Sequence, residues 1–136
     1  MKTYKGYRID GHCAVEVHCQ ALIFRGERFP KSLLTEDLVG NAMYFLPLRR
    51  SQFISRRAEI GFDWGNESFK ALQLALSLLT DALGEPVEME LCVDFHLEII
   101  ANLRDTWELT DADVRVWHRE WKFRGQDATL EELSTA

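Results

Sequence analysis

The chain has 136 residues, 46% of them hydrophobic, so it can bury about two-thirds of its unfolded surface in one domain and is too apolar for general disorder. Its formal net charge of −6 argues against non-specific nucleic-acid binding, because phosphate contacts need clustered cations. No stretch reaches the roughly 20 apolar residues that span a bilayer, so we predict no membrane contact. No signal peptide is visible and the number of cysteines, three, is odd, so we predict a cytoplasmic protein with reduced thiols.

A β-hairpin is predicted at the start of the chain. Residues 3–9 have the composition of a strand, with Tyr7 and Ile9 on one face, and Asp10-Gly11 is a turn sequence because both residues tolerate positive φ. The return strand alternates and places Val15 and Val17 on one face. Two strands alone are marginally stable, so we expect this face to pack on a helix, with residues 60–64 as a third strand.

Residues 22–57 interrupt the regular pattern, and we interpret them as a segment inserted into a single domain of residues 1–124. The run 43–46 is apolar but too short to assign to a helix or a strand. The densest positive charge of the chain follows it, in the basic cluster Arg49, Arg50, Arg56 and Arg57. This cluster is either a solvated loop, neutralised by acidic residues of the same chain or of a dimer mate, or a contact surface for a partner.

The central helix is predicted over residues 68–83, where leucines recur at helical spacing. Alanines form a second stripe beside the leucines, so the helix is apolar over most of its circumference and must be covered on several sides. Asn66 is the predicted N-cap, and Gly84 suits the left-handed residue that closes a helix.

Residues 87–99 alternate between apolar and mostly polar side chains, which is typical of a strand, but thirteen residues is long for one. Leu91, Phe95 and Ile99 are also spaced as on a helix, and we favour a helix from about residue 88 to 103. Residues 107–109 are then extended. Thr110 and Asp113 resemble a capping box for a last helix that places Val114, Trp117 and Trp121 on one face.

The tail of residues 125–136 is acidic and rich in Ser and Thr. It either adds one more helical turn around Leu130 and Leu133 or is disordered.

Four short motifs occur in a fixed order: Phe62-Asp63-Trp64-Gly65, Gln73-Leu74-Ala75-Leu76-Ser77-Leu78-Leu79, Asp94-Phe95 and Trp107-Glu108-Leu109-Thr110. In their order and approximate spacing, residues 60–118 resemble a small bacterial and archaeal domain family of unknown function. Members of that family often occur on plasmids, phages and other mobile elements, usually lack the segment 22–57, and have a Gly-rich link where this chain has Asn66-Glu67-Ser68. The resemblance implies a mobile-element context and carries no catalytic residue.

An acidic row is the most robust candidate site. Glu90, Asp94 and Glu98 are four residues apart, so they share a face in a helix and in a strand alike. Residues 81–113 hold one Arg and ten acids, a net charge of 1 − 10 = −9. The row is either the solvated face of an amphipathic helix or a surface that mimics nucleic-acid phosphates and docks on a basic partner.

The histidines and cysteines do not form a recognisable metal or catalytic site. His12 and His18 leave one face of a strand and Cys13 and Cys19 leave the other, so one strand cannot bring them around a zinc ion. No nucleophile motif is present. A deep pocket that converges on His96, His118 or Cys92 would favour an enzyme.

We therefore predict an α+β fold, with a small antiparallel sheet packed on two or three helices, and no metal or cofactor. The leading functional hypothesis is a non-enzymatic protein-interaction module of a phage or other mobile element, such as an anti-CRISPR type inhibitor of a host defence or nuclease complex. The alternatives are a small structural or regulatory homodimer and an enzyme with an unrecognised site. We do not expect direct nucleic-acid binding.

Overall fold

The computed structural model describes residues 1–22, 39–49, 61–84 and 87–134. A four-stranded antiparallel sheet is formed by β1 (Thr3–Ile9), β2 (His12–Leu22), β3 (Val39–Phe45) and β4 (Trp107–Thr110), in the order β3-β2-β1-β4. Within these ranges three α-helices accompany the sheet, which confirms the predicted α+β class. Asp10 and Gly11 both have positive φ, of 50° and 80°, as the predicted hairpin turn requires.

The predicted third strand at residues 60–64 is wrong over the described residues 61–64, which are irregular. The Asp63 carboxylate accepts a hydrogen bond from the Trp64 backbone N–H at 2.8 Å, and Gly61 and Gly65 have positive φ, so the chain turns where a strand would continue. The sheet instead takes β3 from the segment that we interpreted as an insertion, and β4 from the residues predicted to be extended.

Helix α1 (Phe69–Leu83) is the centre of the fold, as its sequence indicates. Its N-cap is Ser68, whose Oγ accepts from the Ala71 N–H at 3.3 Å, so the prediction of Asn66 as the cap is wrong. Asn66 acts one step earlier, because its Oδ1 accepts from the Ser68 N–H. Gly84 is left-handed at φ 70° and closes the helix as predicted.

The middle of α1 is covered on all sides. Leu74 and Leu78 are fully buried, and so are the polar residues Gln73 and Ser77 on another side of the helix. The residues that follow β3 pass this polar side, where the Arg49 N–H donates to the Ser77 Oγ at 2.9 Å. The predicted need for cover on several sides is therefore met by two helices, by the sheet and by the chain after β3.

Helix α2 (Met89–Glu98) is followed by a 3-10 turn, Ile100–Asn102, and the two together match the helix predicted for residues 88–103. The Asn102 amide closes this end by donating to the backbone carbonyl of Glu98 at 3.0 Å.

Helix α3 (Asp111–Ser134) begins with the predicted capping box and runs past Gly125. The Thr110 N–H donates to Asp113 Oδ2 at 2.9 Å, and the Asp113 N–H donates to Thr110 Oγ1 at 3.0 Å. Val114 and Trp117 are buried against the core, as their spacing predicts. None of the helices within the described ranges combines the length and apolarity needed to span a bilayer.

Candidate functional site

The turn Phe62-Asp63-Trp64-Gly65 is a structural junction between the sheet and α1. Asp63 accepts from Asn66 Nδ2 at 2.8 Å and from Arg8 Nη2 at 3.0 Å, in addition to its bond with the Trp64 N–H. Burial alone would raise the pKa of Asp63, but the hydrogen bonds from Asn66, Arg8 and Trp64 outweigh burial and lower it below its usual value.

Trp64 anchors this junction in the core. Its side chain is 1% exposed and meets Trp107 edge to face, with ring centroids 5.5 Å apart. The Arg8 guanidinium lies 4.8 Å from the Trp64 ring centroid and also binds Asp105. Gly65 follows with φ 75°, and a Cβ there would lie 3.0 Å from the Leu103 carbonyl oxygen. These contacts join distant segments of the chain, so the motif that carries the resemblance has a structural role.

A second polar cluster, absent from the sequence predictions, surrounds Asp81 near the end of α1. Its carboxylate accepts from the hydroxyls of Tyr4 at 2.7 Å and Tyr44 at 2.8 Å and from Lys2 Nζ at 3.1 Å. Burial alone would raise the pKa of Asp81, but these three donors lower it below its usual value. Burial, together with the Asp81 carboxylate, raises the pKa of Tyr4. We infer that this Asp81 cluster ties two strands to the helix.

The predicted acidic row lies on one side of α2, towards α3. Glu90 is exposed. Asp94 Oδ2 accepts from Trp121 Nε1 at 2.8 Å, and Glu98 Oε1 pairs with Arg124 Nη1 at 2.9 Å. Two of the three carboxylates thus also hold α3 against α2, a contact that the sequence did not reveal. The Glu98 pair is exposed and adds at most about 1 kcal/mol.

An outer apolar row runs beside these acids and was missed by the sequence predictions. Met89 is 54% exposed and Leu97 is 44% exposed, with the half-buried Val93 between them. The inner side of the same helix carries Leu91 and Phe95, which are buried. The strand-like alternation of residues 87–99 is the sequence feature that could have revealed this outer apolar row. A period of two places successive apolar residues about 200° apart on a helix, and therefore on opposite faces.

The basic cluster is described at one position. Arg49 is exposed, and its backbone is fixed by the bond to Ser77. Arg50, Arg56 and Arg57 lie outside the described residues.

Among the described residues, the three residues considered for an enzyme lie in different surroundings. Cys92 is fully buried, which raises the pKa of its thiol to about 12, and His96 is buried with its Nε2 3.2 Å from the Asn66 carbonyl oxygen. His118 instead lines a cleft of about 320 Å³ at the start of α2, and neither Cys92 nor His96 lines that cleft. Burial, together with the Lys122 ammonium, lowers the pKa of His118.

The hairpin histidines and cysteines occupy opposite faces of β2, as expected. His18 pairs on the outer face with Glu16, its Nε2 2.9 Å from Oε1, whereas the Cys13 thiol contacts Asp63 at 3.7 Å. All three cysteines are free thiols. Within the described part of the chain, no group of three or more His, Cys, Asp or Glu side chains could hold a metal ion.

These features define a small α+β domain with an antiparallel sheet on one side of a buried helix and an acidic, partly apolar helix at the surface. The model of DUF6166, a family of unknown function, matches residues 24–120, and the chain belongs to this family. The match includes most of the segment that we interpreted as an insertion. No curated protein and no solved structure matches the chain.

Proposed function

We propose that this domain is a non-enzymatic protein-interaction module that contacts its partner through the outer face of α2. The observation that carries the proposal is the pair of parallel rows on this face, the outer apolar row of Met89, Val93 and Leu97 and the acidic row beside it. A solvated helix face needs no row of partly exposed apolar residues at every fourth position, whereas a contact surface combines apolar anchors with a charged rim.

The acidic row supports a basic partner. Charge complementarity steers association and excludes partners with negative surfaces. The bond from Trp121 holds the half-buried Asp94 carboxylate in place, so little side-chain freedom of that residue is lost on binding. Glu90 is exposed and is available for a direct ion pair with the partner.

The partner class that fits this chemistry is a protein surface evolved to hold nucleic acid, where cations are concentrated. Together with the mobile-element context that the resemblance implies, this supports an inhibitor of a host defence or nuclease complex, of the anti-CRISPR type, encoded by a phage or another mobile element. It would act by occupying the basic surface with which that partner binds nucleic acid.

The experiment uses affinity capture from a bacterial lysate, followed by titration of the captured protein. In the first variant, Glu90→Gln and Asp94→Asn are combined, because the asparagine keeps an oxygen for the Trp121 N–H while the charge is lost. In the second, Leu97→Ser shortens the outer apolar row. We expect each to weaken binding by about tenfold or more, and the first to flatten the dependence of affinity on salt.

Matched controls lie on α3. Glu120→Gln removes an exposed acid, and Val116→Ser removes an apolar side chain that is 50% exposed, similar to Leu97. Both should leave binding unchanged. Equal binding by the α2 variants and wild type would reject the proposed surface, and capture of a partner with an acidic binding face would reject the proposed partner class.

A further inference from the structure

We propose that β3 pairs edge to edge with β3 of a second copy of this chain, forming a two-fold symmetric dimer in which two four-stranded sheets become one. In the sheet order β3-β2-β1-β4, β3 is an edge strand, and within the described residues β2 is its sole partner. This inference is independent of the α2 surface.

The register identifies which backbone groups face the free edge. The Leu46 N–H donates to the Val15 carbonyl oxygen at 2.9 Å, and the pairs Val17↔Tyr44 and Cys19↔Ala42 follow at intervals of two. In an antiparallel ladder the hydrogen-bonded positions alternate. The N–H and C=O groups of the intervening residues, Asn41, Met43 and Phe45, therefore point away from β2 towards the edge.

Within the described residues, β3 itself carries none of the sequence features that keep edge strands apart. Edge strands are commonly protected by charged side chains, proline, a bulge or short length. The β3 sequence, VGNAMYF, has seven residues and neither a charge nor a proline. At the opposite edge, β4 has four residues and carries Glu108. Of the two edges, β3 is therefore the one suited to further pairing.

The side chains of β3 support the same interface. On the outer face of the sheet, Met43 is 49% exposed and Phe45 is 61% exposed. Adjacent large apolar side chains exposed to this extent are typical of an interaction surface. Pairing across a two-fold axis would bring these side chains towards those of the second copy.

The second copy is the occupant that fits best. In a two-fold antiparallel pair, each β3 strand lies beside the identical strand of the second copy. Because β3 is uncharged, two chains that each have a net charge of −6 can pair there without placing like charges opposite each other. Among the described residues each chain offers one such edge, so we expect the association to close at two copies.

The test is the molar mass of the full chain in solution, measured by analytical ultracentrifugation from low to high micromolar concentration. We expect a dimer for wild type. Met43→Pro removes an N–H from the free edge and none from the β2 ladder, so it should raise the dissociation constant by more than about tenfold, whereas the matched Met43→Ala keeps the N–H and the dimer.

Two further variants separate an edge interface from packing between sheet faces and remain informative if the proline variant fails to fold. Met43→Lys would place like charges near each other across the axis and dissociate the dimer. Ile9→Lys adds the same charge on the outer face of β1, at a side chain that is 57% exposed, and should not affect it. The inference would be overturned if the wild-type chain is a monomer. It would also be overturned if a folded Met43→Pro or Met43→Lys variant remains a dimer, or if Ile9→Lys dissociates the dimer.

Discussion

Removal of the Asp81 carboxylate is predicted to destabilise the domain more than a change at any exposed acid. Asp81→Ala would leave the hydroxyl of the fully buried Tyr4 without its acceptor, and would also release Tyr44 and Lys2. A hydrogen bond to a charged group contributes about 1.5 kcal/mol or more, and the Lys2 pair, with Lys2 36% exposed, contributes less than about 1 kcal/mol. The expected loss is about 3–4 kcal/mol in the free energy of unfolding.

Urea denaturation at neutral pH would measure this loss. Asp81→Asn keeps one acceptor oxygen and should cost about half as much, and Tyr44→Phe, which leaves the carboxylate with Tyr4 and Lys2, about 1 kcal/mol. If Asp81→Ala stays within about 1 kcal/mol of wild type, the carboxylate is not the acceptor that holds these strands to α1. If Asp81→Asn is as damaging as Asp81→Ala, the single remaining oxygen does not keep any of the three bonds.

The same cluster gives a pH dependence with a definite sign. Because the pKa of Asp81 is lowered on folding, its contribution is fully present above the unfolded value of 3.8 and is lost as the pH falls through the folded value. The pKa of Asp63 and that of Asp111 are also lowered, so stability should fall in acid. In Asp81→Asn this decline should be smaller than in wild type, and an unchanged acid limb of the unfolding curve would contradict the assignment.

Two backbone predictions can be checked by thermal unfolding. Gly65→Ala should cost about 1–3 kcal/mol and more than Gly11→Ala, because both glycines have positive φ but only at Gly65 would the new Cβ meet a backbone atom, the Leu103 carbonyl oxygen. Equal losses of stability in Gly65→Ala and Gly11→Ala would show that the contact with the Leu103 carbonyl oxygen has no effect. Thr110→Ala should cost about 1 kcal/mol by breaking the capping box, whereas Asp113→Asn, which keeps an acceptor, should cost less.

The features that could be predicted from the sequence depend on local chemistry. The Asp10-Gly11 turn, the closing residue Gly84 and the capping box of Thr110 with Asp113 each involve residues within four positions of one another. The leucine and alanine pattern of α1 also reveals how completely that helix is buried, because the pattern itself is nearly apolar all round.

Strand β3 could not be predicted, because its stability comes from β2 and not from its own composition. Gly40 and Asn41 are poor strand formers, yet Ala21 and Gln20 of β2 pair with them and complete the ladder. Residues 61–64 were wrongly predicted to form a strand. The alternation of Phe62 and Trp64 is instead produced by a turn that buries the Trp64 indole.

The two polar clusters were hidden for a related reason. Asp81 meets Tyr44 across 37 positions of the chain and Lys2 across 79, and no spacing rule connects such residues. The acidic row was placed on one face correctly, but its bonds to Trp121 and Arg124 depend on how α3 crosses α2.

The two proposed surfaces lie on different sides of α1 and need not compete. The chain that follows β3 passes the Ser77 side of this helix, whereas α2 packs where its Cys92 thiol meets the Leu72 carbonyl oxygen at 3.7 Å. We expect a dimer joined through β3 to keep both outer faces of α2 available. Two such faces on one particle would bind a partner with two basic sites far more tightly than one face alone. Loss of the dimer by Met43→Pro should then weaken capture of such a partner without changing the affinity of a single α2 face.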